Sequence, residues 1–507
     1  MIIVCMSLSL ALALSLAQIG IGPINVFPAA PWSQYGGNPQ HTALATNSVQ
    51  PFTRILWTAP VDLNPQYSGG DLLIHYGTPL ITKVGTVIVP VKTGASDGFQ
   101  FRGYSPGGTQ LWTFATDYSL PPHNWTPSCA GTLVLGSSFL TVPAAGGTLM
   151  TRSQPDSALG LGKRNAFYGN SVYSASPSTF NSNVKICSPL MASPAGYAYF
   201  GYRVLGSNPA NLKSGFARML PWTSGGLWVS ASAAAGDAGI TVPVMNCTPA
   251  LSNDGRYVYA VVSSGNNGYG YLLCLNAATL QTVAKVRLKD PNGNDALLPD
   301  AGTASPMVGP DGDVYIGVLE NPFPYNHDRG WMLHYTANLS VQKPTGAFGW
   351  DDTASIVPAT CVPSYLGVSS YLILTKYNNY AGVNGDGVNK VGILDPNDTQ
   401  IDPITGKTIM KEIITVKGAT PDPEFIANHP NAVREWCINT AAIDPVNKCA
   451  VVNSEDGKCY RWNFVSNTLD LVVTLTAGVG EAYTPTVIGP NGVAYAINNA
   501  TLFALGQ

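Results

Sequence analysis

Seven ionisable side chains stand at recurring places in this sequence: His75, His123, Lys185, Asp300, Asp352, Glu435 and Glu481 each sit at or near four residues ahead of a repeated Ser/Thr-Pro step or its weaker copies. Trp125, Trp436 and Tyr483 lie beside them. Carboxylates and imidazoles gathered among aromatic rings offer three chemistries. They can hold Ca²⁺ through oxygen, seat a sugar against a ring, or pair a protonated with an ionised carboxyl for acid–base hydrolysis. Glu435 and Glu481 with His75 or His123 are the catalytic candidates, and Trp125, Asp352, Trp436 and Tyr483 the ligand-binding ones. The plainer alternative is a set of channel-facing polar groups that hold ordered water.

A second candidate is the run Asn378–Asn389, oxygen-rich and punctuated by Gly382, Gly385 and Gly387. It has the character of a Ca²⁺ loop with Asp386 as ligand. It lacks further carboxylates and a closing Glu, so a long inter-strand turn explains it equally. Asn326–Trp331 concentrates polar groups near His334, but nothing supplies His327 with a nucleophile, and the segment reads as an exposed loop. Serine-hydrolase, zinc-protease, P-loop and dinucleotide-binding motifs are absent.

The elements that must position these groups follow from a repeat. A hydroxyl-Pro step recurs at Thr78-Pro79, Thr126-Pro127, Ser188-Pro189, Thr248-Pro249, Ser305-Pro306 and Thr484-Pro485, with weaker copies at Val357-Pro358 and Thr440-Ala441. Successive copies are 44 to 83 residues apart, which gives eight units. After the step, Asp254-Gly255, Asp311-Gly312 and Asn491-Gly492 supply the positive φ of a tight turn, and the Val/Tyr alternation beyond each is a strand. Further strands follow, as in Tyr271–Leu275 and Val283–Val286. Four antiparallel strands per unit make the blade of a β-propeller, so the expectation is an all-β, eight-bladed propeller whose first strands line a channel. The last unit, from Tyr483 to Gln507, has room for three strands; Arg54–Thr58 is expected to supply the fourth and close the ring.

Residues 1–17 form an apolar run ending in Ser15-Leu16-Ala17, which reads as a signal peptide, with an N-terminal membrane anchor as the competing reading because no basic residue precedes Arg54. Residues 18–49 read as a leader segment packed on one face of the propeller, and residues 50–507 as the propeller itself. No later stretch is suited to span a membrane. Eight cysteines remain once Cys5 leaves with the leader, and an exported chain could pair them. Cys449 with Cys459 and Cys187 with Cys247 are candidates, against buried free thiols. Five Asn-x-Ser/Thr sites, at Asn124, Asn246, Asn338, Asn397 and Asn499, matter only if the host glycosylates.

Composition agrees with this architecture and narrows the partners. Charged residues are 11% of the chain, with 53 Gly and 39 Pro, which suits short strands and tight turns and disfavours long exposed helices. Net charge is −3 and no basic run occurs, so neither nucleic acid nor an anionic membrane surface is an expected partner.

The segment Trp32–Thr42, WSQYGGNPQHT, together with the repeated Thr-Pro…Asp-Gly-x-x-Tyr pattern, resembles the pyrroloquinoline-quinone-like (PQQ-like) propeller family over most of the mature chain. That family spans calcium- and quinone-dependent alcohol dehydrogenases, an outer-membrane assembly propeller and many secreted proteins. The dehydrogenases carry a Cys-Cys pair and a repeated Ala-x-Asp-x-x-Thr-Gly-x-x-x-Trp stretch. This chain has no Cys-Cys, and only Gly107–Trp112 and Asn276–Thr279 approach the second pattern. The resemblance therefore implies a non-dehydrogenase member with no PQQ site; no cofactor is expected, with Ca²⁺ as the one ion the mouth groups suit. The reading is a secreted, extracellular or periplasmic propeller acting as a binding or structural module for a protein or glycan, or self-assembling. The alternative is a polysaccharide hydrolase or lyase at the channel mouth, and behind it a quinone-dependent dehydrogenase.

Overall fold

A computed structural model describes residues 30–302, 304–481 and 484–507, the side chain of Glu481 excepted. The proposed signal peptide, the first part of the leader and Tyr483 lie outside the described residues. The described residues are built almost wholly of short antiparallel strands, with three short α-helices among them, at Asn170–Ala175, Pro177–Asn183 and Ala231–Ala235.

The strands fall into eight consecutive four-stranded antiparallel meanders. Four are free-standing sheets, two carry a fifth short strand (Val184–Ile186 and Val242–Pro243), and two are fused into one eight-stranded sheet through a single parallel bridge between Thr345 and Ile409. Arg54–Pro60 pairs antiparallel with Thr501–Gly506, so the N-terminal strand completes the meander begun at Val487–Ile488 and ties the two ends of the chain. The sheets bury Val, Ile, Leu and Tyr between them in continuous clusters; Trp331, Trp436 and Trp462 have no solvent exposure. Gly255 and Gly312 hold φ of 71° and 91°, as their Asp-Gly turns require.

Hydroxyls at or near the repeated step join neighbouring units. The Thr248 N–H donates to Ser305 Oγ and the Ser305 N–H to Thr353 Oγ1, each at 2.9 Å, while the Ala442 N–H donates to Thr486 Oγ1 at 2.9 Å. Each hydroxyl accepts from the neighbouring unit and stitches adjacent first strands together. This corrects one register: in the sixth unit the stitching group is Thr353, and Val357-Pro358 is the end of the first strand, Ser355–Pro358. The proline is dispensable there, and in the eighth unit the stitching hydroxyl is Thr486, two residues beyond Thr484, whose own hydroxyl donates to Ile497 O.

The segment from Trp32 to Gln50 touches these first strands in chain order. Ile81 donates to Trp32 O, Leu133 to Ser33 O, Leu251 to Pro39 O, Val308 to Gln40 O, Ile356 to Thr42 O and Ile443 to Ala43 O, and Gln50 donates to Gly492 O in the eighth unit. The third unit is reached by a side chain: the Ala192 N–H donates to Gln34 Oε1 (2.8 Å) and Gln34 Nε2 donates to Ala192 O (3.2 Å). Tyr35, almost fully buried, donates to Thr353 Oγ1 at 2.8 Å and also meets Asn439 Oδ1. The axis between the first strands is plugged from this side.

The cysteine expectation is corrected. All eight cysteines from Cys129 to Cys459 are buried free thiols. Cys449 lies opposite Asn463 and Cys459 opposite Asn453, so the register separates them. Cys187 and Cys247 sit at matching places in neighbouring units, where the Asn246 N–H donates to Cys187 O at 2.9 Å, and remain reduced. Burial pushes the Cys187 thiol up to about 12.

Candidate functional site

Opposite the plug, loops that join one meander to the next enclose a cleft of about 870 Å³. Its wall is the connection Thr420–Phe425, the pair Arg434-Glu435, the turn residues Glu455-Asp456, and Gly70, Asp71 and Gly480, with Trp125 across from them. The short parallel pairing of Asp71-Leu72 with Gly480-Glu481 holds two of these loops in register.

The cleft is acidic. The Glu435 N–H donates to Glu455 Oε1 at 3.1 Å, and the Glu455 N–H returns a bond to Glu435 O at 3.2 Å. Arg434 is the one cation in the lining; its Nη1 lies 3.4 Å from Glu455 Oε1 and 3.7 Å from Asp422 Oδ1. Asp456 is spent on structure, accepting from Thr420 and Tyr460 at 2.6 Å each. The half-buried Glu435 carboxyl is pushed well above the usual carboxylate range, first by burial and then by the Glu455 charge. Burial raises Glu455 as well, against the pull of its backbone bond and of Arg434. Because the Glu455 charge acts on the Glu435 carboxyl, the two release their protons as a pair.

Behind the wall lies a second acidic layer. Lys376 Nζ meets Asp351 Oδ2 at 2.8 Å, both side chains shut off from solvent. Asp352 accepts from Thr375 Oγ1 at 2.5 Å and from the Lys376 N–H at 3.1 Å; burial pushes it up to about 7. Asp328 is pushed up to about 8 by burial, then by Glu320 and Asp351. His327 and Asp328 both hold positive φ, 58° and 59°, a strained pair of the kind that accumulates at functional sites. Lys376 lowers Asp352, Asp328 and Glu435 alike, so one buried ammonium is set against several carboxyls.

The candidate residues are divided by the structure. Glu435 and Trp125 line the cleft together. Trp436 is fully buried against Tyr460, ring centroids 5.6 Å apart, and presents nothing to a ligand. Asp352 is likewise enclosed by its own hydrogen bonds. His75 stacks on Trp125 at 5.5 Å and binds Ala301 O through Nε2 at 2.7 Å, while His123 binds Pro121 O locally through Nδ1 at 2.8 Å. Asp300 is paired with Arg203 at 2.7 Å, and Lys185 donates to Asn181 O at 2.7 Å. Asp386 is exposed and caps its own loop, its Oδ1 accepting from Asn379 Nδ2 (2.7 Å) and the Val388 N–H (2.9 Å). Asn326, Arg329, Gly330 and Trp331, expected in an exposed loop, are buried, with Arg329 paired to Asp402 at 3.0 Å.

Sequence reasoning missed Glu455, Asp422 and Arg434, and read Asp328 only as part of an exposed loop. Glu455 lies in the turn Ser454–Gly457, whose composition advertises only a hairpin. Asp422 and Arg434 come from the connection between the sixth and seventh units, and Asp328 from the loop between Val314–Val318 and Trp331–Tyr335.

The residues do not suit every cofactor. An anionic quinone carrying carboxylates would face Asp71, Asp422, Glu424, Glu435 and Glu455 with Arg434 as its one cationic partner, so the lining does not fit it. Among the described residues no three His, Cys, Asp or Glu side chains converge as a metal cage.

No protein-family model matches the chain, and no curated protein matches it in sequence. Solved structures do. The chain is similar to a europium-containing methanol dehydrogenase at 8% identity, over 92% of this chain and 89% of that one, with a TM-score of 0.56. It is similar to the quinohemoprotein alcohol dehydrogenase of Comamonas testosteroni at 9% identity, over 96% and 82%, with a TM-score of 0.55. BamB from Moraxella catarrhalis aligns at 10% identity over 81% and 92%, with a TM-score of 0.45. At such identities the likeness is one of fold, and the fold is a β-propeller.

Proposed function

We propose that this protein is an eight-bladed propeller, leader and blades forming one unit, that works outside the cytoplasm as a binding module for a partner protein. Its site is the acidic cleft, and the matching partner feature is a lysine- or arginine-bearing segment. The carrying observation is the Glu435–Glu455 pair on the wall of an 870 Å³ cleft with Arg434 as its lone cation, at the end of the axis that the N-terminal segment leaves open. Burial, and for Glu435 the Glu455 charge after it, makes the ionised carboxyls costly, and an incoming ammonium or guanidinium would offset that cost. A concave site lined by one sign of charge also concentrates the opposite sign. Trp125 offers the arriving cation a ring face.

Trp125 fluorescence and calorimetry with a Lys/Arg-rich peptide, its Glu/Asp counterpart and a neutral oligosaccharide test this. Binding of the basic peptide alone is expected, weakening with salt and falling at least tenfold in Glu435→Gln/Glu455→Gln. Equal binding of all three, or of none, refutes it.

The raised, coupled carboxyl pair supports a second reading, in which Glu435 donates a proton to a leaving oxygen and Glu455 assists as base in polysaccharide hydrolysis. Turnover of a polysaccharide that is lost in Glu435→Gln, with fold intact, would favour this enzyme over the binding module.

A further inference from the structure

The side of the propeller sealed by the N-terminal segment is apolar at its tips. In each meander the first-to-second and third-to-fourth turns fall at the same end, and the first strands all enter their first turn where they meet residues 32–50. Among the described residues, every large apolar side chain with 60% exposure or more stands on this side. Leu366 (93%) and Val368 (100%) crown one first turn, Val84 and Val446 two others, and Leu159 (80%) and Leu161 (79%) a third-to-fourth turn.

These tips are braced. Tyr365 and Ser369, on either side of Leu366–Val368, each donate to Asp395 at 2.6 Å. The buried Arg152 donates to Ser153 O (2.9 Å) and Ser157 O (2.7 Å) beneath Leu159 and Leu161. Side chains held this firmly into water, when they could fold back, make up a surface suited to an apolar phase.

The chain also reaches the propeller on this side. Trp32 bridges Ile81, next to the turn that carries Val84, and the residues before it include the apolar run Met1–Ala17, with no Asp, Glu, Lys or Arg before Arg54. We propose that this sealed side rests on a lipid bilayer, its aliphatic turn tips dipping into the interfacial region, while the acidic cleft faces away. Charges near the tips are mixed, Lys83 and Lys448 with Asp254 and Asp311, so attachment is apolar and indifferent to anionic lipid. The proposal does not depend on what the cleft binds.

The test uses the full chain with zwitterionic phosphatidylcholine vesicles, with and without phosphatidylglycerol. A fluorophore on Val368→Cys is expected to be quenched by brominated acyl chains, and one on Leu205→Cys, in a turn on the opposite side, to be unaffected. Leu366→Asp/Val368→Asp is expected to lower vesicle partition at least tenfold, equally in both lipid mixtures. Four results overturn the proposal: no partition, equal quenching at both positions, partition unchanged by the double variant, or a concentration-dependent dimer abolished by it, which would make a second copy the occupant.

Discussion

Replacing Lys376 by Met tests the electrostatic account of the mouth most directly. The wild-type ammonium lies 2.8 Å from Asp351, neither side chain reaches solvent, and the same charge holds down Asp352, Asp328 and Glu435. Methionine fills nearly the same volume, so the change is one of charge more than of packing. Breaking one partner of a buried pair costs about 3–5 kcal/mol because the other is left uncompensated. Here the abandoned carboxyls have an escape, since they can take up protons. Each then has a folded-state pKa further above its unfolded value, so the loss is full at alkaline pH and shrinks toward pH 5. Urea unfolding at pH 5 and pH 8 measures this, with the largest deficit expected at pH 8. Lys376→Met/Asp351→Asn removes both charges and should recover more than half of the loss. A single variant within about 1 kcal/mol of wild type at pH 8 would refute the reasoning, given the cost of an unpaired buried charge; so would a double variant no better than the single.

The wild-type chain carries the same sign. Asp352 and Asp328, raised to about 7 and about 8, favour the folded state while protonated, so their contribution is full below the unfolded carboxyl pKa and is lost as pH rises through 7 and 8. Asp254, lowered to about 2 by Ser252 and Arg256, acts in reverse and loses its contribution as pH falls toward 2. Unfolding followed across pH should therefore peak on the acid side of neutrality, and Asp352→Asn should flatten the neutral limb. Tyr35→Phe removes the plug's bonds to Thr353 and Asn439 and should cost about 1–3 kcal/mol by leaving buried acceptors unmet, read by the urea midpoint. Thiol titration of the native chain should label none of the eight cysteines from Cys129 to Cys459, and all eight once denatured; bridged peptides in a non-reducing digest would contradict this.

The repeat was legible because a propeller writes the same local problem eight times. Each unit reuses one strand-and-turn plan, and its positive-φ turns leave a residue-type signature, as at Gly312, while a stitching hydroxyl leaves one at Ser305. Ring closure was legible from arithmetic, since three strands at the C-terminus demanded a fourth, and Arg54–Pro60 supplies it. The sixth unit misled because Thr353 does the stitching without a following proline, and Val357-Pro358 imitated the missing step. The site was legible at Glu435 and Trp125. Glu455, the partner of Glu435, belongs to a turn whose composition serves folding equally well, and Asp422 and Asp328 come from connections whose path no local pattern dictates. Trp436 shows the converse error: one residue from Glu435 in an extended stretch is the opposite face, and that face is core.

The N-terminal segment explains why the two ends of this propeller differ so much. Eight first strands leave inner edges around an axis, and on one side residues Trp32 to Gln50 meet them one after another with backbone bonds, Gln34 standing in by side chain for the third. A strap of this form makes ring opening expensive in two independent ways. Separating Arg54–Pro60 from Thr501–Gly506 breaks only the seam, while every other unit remains bound to the strap. Unfolding from the strap side must release Tyr35 from Thr353 and Asn439 before the axis can admit water. With that side closed, the cost of buried carboxylates at the other is tolerable, because the scaffold that carries Lys376, Asp351 and Glu435 is held at both the seam and the axis. A rigid ring can keep like charges closer than a flexible loop would, and this is the condition under which an acidic cleft stays poised for a cation instead of relaxing away from itself.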